Sequence, residues 1–152
     1  MNIESTAVKL SDMASSYWKN DLNLLGLFLR EDSGELWDLV IASPSLKSSE
    51  LASFEKVAKG IRLHLNQEEL ASLSRIVILD QGGAVLNAFI KEFANRLGLL
   101  DIHFVLEGGA VIRRAYAIIV RGVTESPKTV LKKPLTLVAR KSRTPKTSSR
   151  NQ

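Results

Sequence analysis

The 152-residue chain contains no cysteine. That removes disulfides, thiolate zinc sites and cysteine nucleophiles together. Histidine is scarce: His64 and His103 are the only two, and neither has a His or Cys companion at ligand spacing, which argues against zinc. No Gly-x-Ser-x-Gly elbow is present. The Gly82-Gly83 pair is followed by neither Lys-Ser nor Lys-Thr, so it is not a P-loop, and it does not fit the dinucleotide fingerprint. No apolar run approaches the ~20 residues that a membrane-crossing helix needs. Met1-Asn2-Ile3-Glu4-Ser5 lacks the basic patch and apolar stretch of a signal peptide. The expectation is a soluble cytoplasmic protein with no membrane partner.

The most consequential absence is of acid near one end. All 16 acidic residues lie at or before Glu125. Residues 126–152 carry Lys128, Lys132, Lys133, Arg140, Lys141, Arg143, Lys146 and Arg150. Thirteen cations against sixteen acids give −3 for residues 1–125, and the remaining segment carries +8, for a total of +5. A concentrated basic segment finds polyanions whatever the body does. The reading is a single α/β domain over 1–125 and a basic, partly disordered tail over 126–152.

What is present along the body is an alternation of helix and strand signals. Leu10, Met13, Ala14, Tyr17, Trp18, Leu22 and Leu25 mark an amphipathic N-terminal helix over 6–23. Two strand-like runs, 24–30 and 35–42, flank Asp32-Ser33-Gly34, a hairpin turn composition. A helix is predicted over 48–65, with Leu51, Phe54, Ala58, Ile61 and Leu65 as its stripe. Asn66 and Glu69 form a capping box that opens another helix. Residues 75–80 read as a buried strand, 84–97 as a helix stopped by Gly98, and 102–106 and 111–121 as strands. A last edge strand is read at 135–139. Strand–helix–strand succession predicts parallel crossovers from 36–42 to 75–80 and from there to 102–106. The fold class is α/β: a mixed sheet of about five strands flanked by helices, with an N-terminal helix and a basic C-terminal tail.

Chemistry is sought at the carboxyl ends of parallel strands. Asp80-Gln81-Gly82-Gly83 and Glu107-Gly108-Gly109 follow two of them. If both ends share one edge of the sheet, Asp80 and Glu107 can hold a Mg²⁺ ion through oxygen ligands. Equally, an acid between a strand and a glycine is a common turn residue. Asp38 sits inside an apolar strand, where an unpaired carboxylate is costly, so a cross-strand ion pair with Arg30 or another cation is expected. Arg113 and Arg114 interrupt the last strand of the body. They offer an anion site, or ion pairs with acids such as Glu107.

The leading functional expectation is a non-enzymatic, nucleic-acid-associated binding protein. Lys132, Lys133, Arg140, Lys141, Arg143 and Lys146 supply sequence-independent phosphate contacts. No aromatic residue lies beyond Tyr116 to stack on bases. The body contacts a protein partner or a copy of itself, and no cofactor is needed. Two alternatives stand beside it. One is a Mg²⁺-dependent phosphodiesterase or nuclease using Asp80 and Glu107. The other is an immunity- or antitoxin-like protein-interaction module.

Overall fold

The computed structural model describes residues 1–121 other than Asn20, Asn95, Glu107 and Gly108. Its elements run α1 (Ile3–Tyr17), β1 (Leu24–Arg30), β2 (Trp37–Ala42), α2 (Leu51–His64), α3 (Gln67–Ala71), β3 (Leu73–Ile78), α4 (Ala84–Phe93), β4 (Gly98–Val105) and β5 (Val111–Val120). The strands form one mixed sheet in the order β3-β2-β1-β5-β4. The predicted fold class holds for these residues. The predicted strand at 135–139 lies outside them.

Two apolar layers enclose the sheet. One face carries Leu25, Leu27, Leu29, Leu39 and Ile41 under Leu10, Met13 and Trp18 of the α1 region and Val57 and Ile61 of α2. The other carries Leu24, Phe28, Val40, Ile112 and Ala115 under Leu86, Phe89 and Phe93 of α4. Because both faces are covered, β1 and β2 are almost wholly apolar rather than alternating. Two glycines permit close approach. A Cβ on Gly60 would come 3.0 Å from Met13 Sδ, where α2 meets α1. A Cβ on Gly26 would come 2.8 Å from the Phe28 ring and 3.1 Å from the Tyr116 carbonyl oxygen.

Several boundaries move from their predicted places. Asn2 caps α1, its Oδ1 accepting from Ser5 N–H at 2.9 Å, so the helix begins before residue 6. It ends at Tyr17, and Leu22 and Leu25 reach the core from outside the helix. On α2 the buried positions are Ser53, Val57, Gly60 and Ile61, and Leu51 is exposed. The helix is therefore rotated from the predicted stripe. The capping box is as predicted: Glu69 N–H donates to Asn66 Oδ1 and Asn66 N–H donates to Glu69 Oε1, both at 2.8 Å. Helix α4 ends at Phe93, and Gly98 opens β4 instead of capping a helix.

The first crossover is parallel, with Leu39 opposite Ile76 and Val40 opposite Val77. The second is not. β4 lies at the far edge and pairs antiparallel with β5, which is antiparallel to β1, which is antiparallel to β2. β4 therefore runs opposite to β3. Four strand spacings from β3 to β4 make about 19 Å, and α4, about 15 Å long, packs over Phe28, Val40, Ile112 and Ala115 of the strands between them. The chain starts β4 from the end at which β3 finished.

Candidate functional site

Asp80 follows β3 at the same end of the sheet as Ser43-Pro44 after β2, as the parallel pairing requires. Its carboxylate is held by one residue. Ser48 N–H donates to Oδ1 at 2.8 Å and the Ser48 hydroxyl donates to Oδ2. These two bonds, side chain first and backbone second, hold the Asp80 carboxyl below the usual aspartate range. Asp80 thus ties the loop before α2 to the loop before α4. Two further polar pairs tie segments that adjoin β1, β2 and β3: Gln81 Nε2 donates to Asn23 Oδ1 at 2.8 Å, and Ser43 Oγ donates to Asp21 Oδ2 at 2.8 Å.

The Asp80–Glu107 metal site needed both acids at one end. Glu107 lies outside the described residues. The strands that flank it, β4 ending at Val105 and β5 starting at Val111, meet at the end of the sheet where Arg30 pairs with Ile112. Asp80 follows the opposite end, beyond Ile78, which pairs with Ile41. The antiparallel course of β4 is what separates these two ends. Among the described residues, no group of three His, Asp or Glu side chains is placed to hold a metal ion.

Asp38 forms the expected ion pair and one more. Arg30 Nε donates to Asp38 Oδ2 at 2.8 Å and Arg75 Nε donates to the same oxygen at 3.1 Å. Arg75 is directly opposite Asp38 in the parallel register, a partner that only strand pairing identifies. The contact raises the Arg30 guanidinium above its ordinary range, chiefly through the hydrogen bond to Asp38. Asp38 Oδ1 is buried without a hydrogen-bond partner.

Arg113 and Arg114 point their charge at different partners. Arg113 Nη2 donates to the Gly34 carbonyl at 3.1 Å and sits 4.0 Å from Glu35. Arg114 Nε donates to Asp101 Oδ1 at 2.8 Å. A bulge in β5 explains the departure from simple alternation: Leu29 is opposite Arg114 but Arg30 is opposite Ile112. Ile112 consequently joins Ala115 in the layer under α4, while Tyr116 packs against the opposite layer. His64 Nδ1 lies 2.9 Å from the Gly60 carbonyl within its own helix. Lys132, Lys133, Arg140, Lys141, Arg143 and Lys146 lie outside the described residues.

A buried carboxylate that the sequence marked only as a cap completes the picture. Glu69 accepts from Lys9 Nζ at 2.9 Å and Thr6 Oγ1 at 3.2 Å, besides Asn66 N–H. Burial pushes its carboxyl up, and the bonds from Asn66, Lys9 and Thr6 outweigh it, leaving Glu69 below the ordinary glutamate range. A depressed folded-state value means the stabilisation is complete above the unfolded value and is lost as pH falls through the folded one. Urea-unfolding midpoints measured across the acid range are expected to fall less steeply for Glu69→Gln than for the wild type. Parallel acid limbs would remove Glu69 from this role.

No family model, no curated protein and no solved structure matches this chain.

Proposed function

We propose that this is a small non-enzymatic binding protein that attaches to nucleic acid through its basic C-terminal segment, with the α/β body as its scaffold. One observation carries the reading: eight cations and no acid in residues 126–152, joined to a body of net charge −3 over 1–125. Such a segment gains affinity by releasing counterions from a phosphate backbone and reads no sequence. Among the described residues, three carboxylates that serve the fold add support: Asp80 fastens a loop, Asp38 pairs with Arg30 and Arg75, and Glu69 caps α3.

The test is a full-length variant with Lys132, Lys133, Arg140, Lys141, Arg143 and Lys146 all changed to Gln. Affinity for duplex DNA is measured against salt concentration. Each phosphate contact contributes about 0.9 to the slope of log K on log salt, so eight cations set a ceiling of about 7 and the two that remain set about 2. Binding is expected to collapse at moderate salt in the variant, with no sequence preference in either form. Equal affinity and equal slope in the two proteins would overturn the proposal.

A further inference from the structure

The two edges of the sheet are built differently. β3 presents Ser74 and Arg75 to solvent, and Arg75 is drawn to Asp38. β4 carries no Lys, Arg or Pro, the residues that usually protect an edge from pairing. Among the described residues it pairs only with β5. Its side chains alternate over the whole strand. Leu100, Ile102 and Phe104 pack into the layer under α4. Leu99, Asp101, His103 and Val105 are exposed on the other side, with Leu99 at 51% and Val105 at 57%. The alternation continues although β4 holds one more residue than β5 between Asp101 and Phe104.

We propose that β4 joins a second copy of this chain, antiparallel, with Ile102 opposite Ile102 of that copy. The occupant is identified by the strand's own self-complementarity. In this two-fold register Leu99 faces Val105 of the second copy and Leu100 faces Phe104. Asp101, a carboxylate, faces His103, an imidazole. Every apolar residue meets an apolar one, and the one acid, whose Oδ1 already accepts from Arg114 Nε of its own chain at 2.8 Å, meets the one imidazole of the strand. The contact is isologous, so each pairing occurs twice and the assembly closes at two chains. A continuous ten-stranded sheet results, and both β4 edges, unpaired among the described residues, are filled. The proposal is independent of what the basic segment binds.

The experiment follows the mass of the full-length protein in solution by sedimentation, alone and in mixtures. The wild type is expected to be a dimer. His103→Glu puts two carboxylates opposite each other twice per dimer and is expected to weaken association by about tenfold. Asp101→Lys sets lysine opposite His103 in its own homodimer. Mixing the two variants pairs lysine with glutamate at one position and leaves the native Asp101–His103 pair at the other, so the heterodimer is expected to form as tightly as the wild type. Both positions are exposed, so neither change disturbs the core; Asp101→Lys also removes the exposed Asp101–Arg114 pair within its own chain, and far-ultraviolet circular dichroism of each variant checks that the fold is kept. Recovery on mixing would also show that both variants are folded. A monomeric wild type, as would result if residues 135–139 of the same chain filled the edge, overturns the proposal. So does a His103→Glu dimer of unchanged affinity, or a mixture no tighter than its components.

Discussion

Phe89→Ala is expected to lower the unfolding free energy by about 3–5 kcal/mol, the range for truncating a buried phenylalanine. Phe89 stands at the centre of an aromatic cluster. Its ring meets Phe28 edge-on at 4.7 Å, lies 4.9 Å from Phe104 and stacks near Phe93 at 5.9 Å. These contacts join α4 to β1 and β4, and α4 alone among the described helices covers that face. Neighbouring elements cannot collapse into the void without moving the helix, which keeps the cost near the upper end. Domains of this size have total stabilities of roughly 5–15 kcal/mol, so the loss consumes a large part. The check is a denaturant-unfolding midpoint with Leu97→Ala as the control. Leu97 is 63% exposed, and its truncation is expected to change stability by no more than about 0.5 kcal/mol. Similar shifts for the two variants would mean that α4 is not the lid of this layer.

Asp38→Ala is expected to cost about 3–5 kcal/mol, because breaking a buried pair leaves a charge behind. Asp38 is only 3% exposed, and the Arg30 side chain beside it is 17% exposed. Without the carboxylate, Arg30 keeps Asp32 at the solvent boundary and loses its interior partner. Arg75 is 52% exposed and can return to water, so Arg75→Ala is expected to cost less than about 1 kcal/mol. The asymmetry separates a buried-charge effect from a general loss of contacts. A double-mutant cycle sharpens it: Asp38→Ala with Arg30→Ala together should cost well under the sum of the two, since neither charge is then stranded. Additive losses would show that the pair is not coupled.

The elements that were legible in the sequence are those whose determinants are local. The Asn66–Glu69 capping box spans three residues and formed as predicted. The Asp32-Ser33-Gly34 turn set the β1–β2 hairpin, and that hairpin placed Arg30 near Asp38. The apolar character of Trp37–Ala42 already implied a strand covered on both faces. Illegible were the features that depend on where distant segments end. Arg75 reaches Asp38 because β3 pairs in parallel with β2, and Ser48 reaches Asp80 because that pairing sets their loops side by side. Leu97 continues the apolar period predicted for 84–97 yet is exposed, since α4 ends at Phe93 and the helical period no longer places the residues beyond it.

By itself the sequence determined the α/β class, the Asn66–Glu69 capping box, the β1–β2 turn, and the charge asymmetry on which the proposed attachment to nucleic acid rests. These follow from composition and from contacts within a few residues. Only the tertiary structure decided the direction of β4, its place at the edge of the sheet among the described residues, and the separation of the end of β3 from the β4–β5 connection. A crossover helix can return along the sheet or traverse it. That choice depends on the span to be bridged between the edge strands, a distance that no window of sequence contains.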